Sequence, residues 1–313
     1  MGKPKHQALK GTMLKQKTKS AGKAGKQPPS ILFHADANDP DMLYFSRFSA
    51  FDPYLAFSIG GKKYALSNSM EFNRMVSESD FDEVLLEPEV AAETSKRFNL
   101  KNGNKPSDVQ LVHHLAKKYG IREFRVSSRF PAGLAFALSK AGVKIVPDDD
   151  GWLFPERLIK TRDEVEALRK GNQASEAGFR VVAKTLAESK IKKDKLIHQG
   201  RVLTSERLHE LISQAALGKD AIALHTIAAA GDQACDCHNA GSGPIAPNQL
   251  IVVDIFPRRP EDGYWGDMTR TFLKGKASDD QRRLVRTVKR GQELGIKLIK
   301  PGAVGGAVQV AVQ

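Results

Sequence analysis

Apolar and polar positions along the chain switch between a two-residue and a near-four-residue period, and those switches predict the elements. From Ile31 onward Tyr54–Ile59 and Lys63–Leu66 read as strands, and Gly60-Gly61 between them marks a hairpin turn. Asp41–Tyr44 reads as a turn and short helix, Ser69–Val76 as a helix and Asp82–Leu86 as a short strand. Val109, Leu111, Val112 and Leu115 fall at roughly helical spacing within Ser107–Tyr119, a helix that Gly120 stops. Glu123–Val126 follows as a strand, Pro131–Ala141 as a helix closed by Gly142, and Val143–Val146 as a strand. Strands alternating with helices predict a small α/β domain over residues 31–155.

The run Asp148-Asp149-Asp150-Gly151 reads as a solvated turn, because adjacent side chains on an extended chain diverge and no further metal-ligand spacing follows. A second domain, 156–313, opens with Thr161-Arg162-Asp163-Glu164, a capping box ahead of a long helix that ends near Ser189. A second helix spans Ser205–Leu217 and stops at Gly218, and strands are expected at Ile222–Ala229 and Leu250–Phe256. Ser278-Asp279-Asp280-Gln281 starts another capped helix through Leu284, Val285, Val288 and Leu294, whose expected role is to cover the sheet. The closing Ala307–Gln313 reads as the start of a helix with nothing to fold against.

Leu250–Phe272 carries the chemistry. Its first half is a buried-strand pattern interrupted by Asp254, and after the turn-rich Pro257–Gly263 its second half places Asp267, Thr269 and Thr271 on one face. This predicts a hairpin with two inward aspartates. Burying an unpaired carboxylate costs several kcal/mol, so Asp254 needs a proton, a base or a metal. Shared divalent cations answer both carboxylates at once. The alternatives are that Asp254 pairs with Arg270 and that Asp267 caps the hairpin turn. Cys235-Asp236-Cys237-His238 is a dense soft-ligand cluster, yet it lacks the second, separated ligand pair with which zinc sites wrap their ion.

Charge changes the picture less than its total suggests. The net charge is +13 over 313 residues, but residues 1–30 hold eight lysines and no acid, which leaves about +5 for the rest. That basic stretch has too few large apolar residues to offset ordering entropy and reads as a disordered tail. It is suited to nucleic-acid or acidic-surface contact, or to no specific role. No run approaches the ~20 apolar residues of a membrane span. The absence of a secretory h-region and the two closely spaced cysteines predict a cytoplasmic protein with reduced thiols.

Four features together resemble the pita-bread metallopeptidases, the family of methionine and Xaa-Pro aminopeptidases, prolidases and creatinases. They are the Thr161-capped helix, Ala228–His238, Asp267-Met268-Thr269-Arg270-Thr271-Phe272 and Lys300-Pro301-Gly302. Asn38–Phe48 with the Tyr54–Leu66 hairpin is similar to the creatinase/prolidase N-terminal domain, and Arg157-Leu158-Ile159-Lys160 ahead of Glu164-Val165 to the family's entry into its catalytic half. The resemblance implies an α/β creatinase-like N-terminal domain followed by an α+β pita-bread domain. It implies a metal-dependent aminopeptidase of Xaa-Pro or prolidase type acting on peptides, in a family whose members often form homodimers.

The resemblance also implies a centre of two divalent ions (Mn, Co, Zn or Fe) held by two aspartates, one histidine and two glutamates. Asp254 and Asp267 match the aspartates, and His238 matches a substrate-handling histidine. The remaining ligands lie in the family's later half, so the pita-bread domain is expected to be incomplete at Gln313 and the chain inactive unless they are supplied. Two departures stand out: Phe256 replaces a usual glycine, and Pro257–Asp262 lengthens the hairpin link. The competing reading is a non-catalytic pita-bread interaction module with a basic tail.

Overall fold

The computed structural model describes residues 28–101, 103–148 and 153–313. Residues 1–27 of the tail and the acidic residues Asp149 and Asp150 with Gly151 lie outside the described residues.

The N-terminal part runs β1 (Leu32–Ala35), α1 (Pro40–Ser46), β2 (Tyr54–Ile59), β3 (Lys62–Ser67), α2 (Phe72–Glu78), β4 (Glu83–Leu86), α3 (Glu87–Arg97), α4 (Asp108–Tyr119), β5 (Glu123–Val126), α5 (Ala132–Lys140) and β6 (Lys144–Pro147). β1, β2 and β3 pair antiparallel in sequence, β4 joins β3 in parallel, and a bridge from Ile31 to Arg125 brings the parallel β5–β6 pair beside β1. Gly60 and Gly61 take φ of 56° and 85°, the left-handed pair that a two-residue hairpin turn needs. Leu55, Phe57, Tyr64 and Leu66 on one sheet face pack against Leu111, Val112 and Leu115 of α4. Phe33, Met42 and Phe45 meet Leu153 and Phe154 on the other side.

Asp148 corrects the solvated-turn reading. It is buried and ion-paired to Arg125, because its N–H continues the parallel β5–β6 ladder by donating to the Val126 carbonyl at 2.9 Å. α3 and β1 carry no clear sequence pattern: EPEVAAETSKR offers only Val90 as a large apolar anchor, and its helix begins on a Pro in the first turn.

The C-terminal part holds α6 (Arg162–Glu188), the short meander β7 (Lys190–Lys192), β8 (Lys195–His198) and β9 (Arg201–Val202), then α7 (Ser205–Leu217), β10 (Ile227–Ala230), β11 (Leu250–Ile255), β12 (Met268–Leu273), α8 (Asp279–Leu298) and α9 (Gly305–Val312). Thr161 and Glu164 cap α6 reciprocally, as their spacing predicts. Its buried stripe of Ala167, Gly171, Ala174, Gly178, Val182 and Leu186 recurs every three to four residues and faces the sheet. Ile251, Val253 and Ile255 of β11 are fully buried with Ile212 of α7 and Val182. Gly178 admits Ile255 so closely that a Cβ there would stand 2.8 Å from its Cδ1. Ser175 Oγ donates to the Ile255 carbonyl at 3.0 Å, tying α6 to β11.

Three expectations change. The strand expected at Ile222–Ala229 begins only at Ile227, since His225 is left-handed with φ 60° and breaks the extended run. α8 does not cover the sheet: none of its residues is buried, and Leu284 and Val288 are 55% and 64% exposed. It is tied at its start by Gln281, whose side-chain amide donates to the Asn248 carbonyl at 2.9 Å. The closing helix does find a partner, as α9 folds back on α8 with Val312 over Gly291 and Gly295. Among the described residues no helix is long and apolar enough to cross a membrane.

Candidate functional site

The β11–β12 hairpin sets the geometry. Asp254 pairs with Thr269 and Ile255 with Met268, so Asp267 lies one step beyond, and the two-residue period puts Asp254, Asp267, Thr269 and Thr271 on one face. Asp254 and Asp267 are therefore diagonal neighbours. Thr269 Oγ1 donates to Asp254 Oδ1 at 2.6 Å, fixing one carboxylate oxygen and leaving the other open.

The face is not inward. α6 and α7 cover the opposite face, where Ile251, Val253 and Ile255 point, while Asp254 is partly exposed and Asp267 exposed. Desolvation therefore places no demand on these carboxylates among the described residues. Arg270 does not pair with Asp254. It lies on the other face, with its guanidinium 5.9 Å from the Phe179 ring centre. Asp267 is held through its backbone, its N–H donating to Asn172 Oδ1 of α6 at 3.1 Å.

His238 lies on an exposed turn between β10 and β11, its N–H donating to Asp236 Oδ1 at 3.3 Å. Cys235 and Cys237 beside it are free and exposed. The turn's far end is anchored by the Ala228 N–H to the Ala240 carbonyl at 2.8 Å, and by His209 Nε2 to the same carbonyl at 2.9 Å.

Carboxylate oxygens suit hard divalent cations, and the aspartate pair fits as one wall of such a site. Among the described residues no group of three or more His, Cys, Asp or Glu converges. The described residues thus do not by themselves fit a centre with two metals.

The link between the strands does more than lengthen the hairpin. Arg258 reaches back to the N-terminal part, donating to the Ala37 carbonyl at 2.7 Å and to Asn38 Oδ1 at 3.1 Å. Tyr264 Oη donates to Glu164 Oε1 at 2.6 Å, and Arg47 donates to both, to Tyr264 Oη at 3.0 Å and to Glu164 Oε1 at 3.3 Å. Glu164 Oε2 accepts from the Thr161 N–H at 2.8 Å. Burial opposes ionisation of Glu164, but the bonds from Tyr264, Thr161 and Arg47 outweigh it and hold the carboxyl at about 2. Burial, reinforced by the Glu164 carboxylate, pushes the Tyr264 phenol up. Sequence reading sees Glu164 as a helix cap and as part of the join between the two parts of the chain, not as a partner of Arg47 or Tyr264. Arg47 and Tyr264 leave no signal of their own, because their partners are 117 and 100 residues away.

Residues 166–313 match the profile of metallopeptidase family M24. The chain is 29% identical over 185 residues to Xaa-Pro aminopeptidase 1 of Streptomyces coelicolor, covering 57% of this chain and 35% of that protein. It is 24% identical over 164 residues to the Xaa-Pro dipeptidase of Pyrococcus furiosus, covering 52% and 43%. The chain thus spans under half the length of these curated relatives. Its fold is similar to solved structures of X-Pro aminopeptidase from Thermotoga maritima (TM-score 0.68, 18% identity, 87% of this chain and 70% of that one) and of prolidase from Pyrococcus furiosus (TM-score 0.62, 16% identity, 85% and 68%).

Proposed function

The chain belongs, through residues 166–313, to metallopeptidase family M24, and on that premise we propose that it serves Xaa-Pro peptide hydrolysis of the aminopeptidase or prolidase kind, with Asp254 and Asp267 as two of the metal ligands. The observation that supports this most is the placement of both aspartates, diagonal on one open face of the hairpin, with Asp254 oriented by Thr269. Asp254 and Asp267 would hold one side of a divalent cation, and the chemistry such a cation would supply is activation of water. The residues of this chain contribute position: Thr269 orients one carboxylate, and Asn172 fixes the backbone of the other. His238 is proposed to contact the peptide from its exposed turn, as the resemblance implies.

Calorimetric titration with Mn²⁺ tests the assignment. The wild-type chain is expected to bind more tightly than Asp267→Asn and Asp254→Asn, both of which keep the fold because the two side chains lie outside the core. Equal binding by all three would count against the metal role and favour a non-catalytic module. Because two aspartates alone do not fix two metals, the chain by itself is expected not to cleave Xaa-Pro peptides. Stoichiometric binding of two ions together with cleavage would overturn that ligand count.

A further inference from the structure

Segment 264–267, which leads into Asp267, lies along the first half of α6 as along a rail. At one end Tyr264 bonds Glu164. In the middle Gly266 meets Gly171 backbone to backbone, so that a Cβ on Gly266 would stand 2.1 Å from the Gly171 carbonyl oxygen. At the other end the Asp267 N–H bonds Asn172. The rail is closed from outside by the N-terminal part of the chain. Arg47 follows α1 in the left-handed conformation, with φ 52°, which turns it toward Tyr264 and Glu164. Leu43 of the same helix fills the space over Gly263, where a Cβ would stand 2.2 Å from its Cδ2.

We propose that Arg47, Tyr264 and Glu164 form a latch through which the N-terminal part of the chain sets the position of the Asp267 carboxylate. Tyr264 and Arg47 are thus positioning residues, and Pro257–Asp262, through Arg258, is the arm that reaches the N-terminal part. The physical basis is that a buried carboxylate shared by a phenol and a guanidinium is stabilising only while all three keep their places. Loss of either donor leaves Glu164 short of a partner and frees the segment three residues before Asp267. The proposal rests on reading Asp267 as a metal ligand, but the latch itself is measurable without metal.

Amide hydrogen exchange on the metal-free chain reads it directly. The Gly266 N–H, bonded to the Pro257 carbonyl at 2.8 Å, and the Asp267 N–H report the segment. Arg47→Ala and Tyr264→Phe are each expected to speed exchange at these two amides about ten-fold, while the Val253 amide in the core strand stays unchanged. Arg157→Ala removes a different tie to the N-terminal part, the ion pair with Asp41, and is expected to leave the two amides within about two-fold of wild type. In Mn²⁺ titration Tyr264→Phe is expected to weaken binding about ten-fold. Unchanged exchange in Arg47→Ala overturns the latch, and so does an equal rise in all three variants and in the core. If the wild-type chain takes up no Mn²⁺, the ligand reading fails, and the exchange rates still decide the latch.

Discussion

Substituting Gly171 by alanine pits helix propensity against the rail, and the structure says which wins. In the interior of α6 the exchange by itself favours the helix by about 1 kcal/mol. The new Cβ, however, would stand 2.5 Å from Gly266 N, 2.7 Å from Trp265 C and 2.9 Å from Trp265 O, all backbone atoms with no rotamer to yield. Ordinary carbon contacts require α6 and the segment to part by on the order of 1 Å. That movement carries the Asp267 N–H, now 3.1 Å from Asn172 Oδ1, beyond hydrogen-bond reach.

Overpacking of this kind costs about 1–3 kcal/mol and the lost bond about 1 more, against the helix gain of about 1. Gly171→Ala should therefore destabilise by roughly 1–3 kcal/mol. Gly133, near the start of α5, meets nothing within 4 Å, and there the same exchange should stabilise by about 0.5–1 kcal/mol. Urea unfolding followed by circular dichroism and by tryptophan fluorescence, to which Trp265 beside the contact contributes, measures both. A Gly171→Ala chain as stable as wild type would refute the close backbone approach.

Further expectations follow from burial and charge. Glu164 is depressed from 4.5 to about 2 in the folded chain, so its stabilising contribution is complete above about pH 4.5 and fades as pH falls toward 2. Glu164→Gln should be less stable than wild type at neutral pH, and its urea midpoint should fall less steeply through that acid window. Parallel curves for the two proteins would contradict the assignment. On the open face of α8, Val288→Ala should change stability by no more than about 0.5 kcal/mol, whereas Ile212→Ala in the core should cost about 2–5 kcal/mol. A loss above about 1 kcal/mol at Val288, or one that depends on protein concentration, would show that face to be covered in solution.

Local pattern accounts for much of what the sequence alone determined. Helix caps at Thr161 and Ser278 stand where their spacing places them, because a capping box is satisfied within four residues of chain. Gly60-Gly61 fixes its hairpin for the same reason, and period two puts Asp267, Thr269 and Thr271 on a common face, to which the hairpin register adds Asp254. Tertiary structure decided which side of that face meets solvent. Alternation defines two faces of a strand, but only the packing of α6 and α7 selects Ile251, Val253 and Ile255 as the covered side. It likewise buried Asp148 against Arg125, left α8 open, and brought Arg47 and Tyr264 to Glu164 across 117 and 100 residues of chain. Such contacts join groups far apart in sequence, and their energy exists only once the chain has folded.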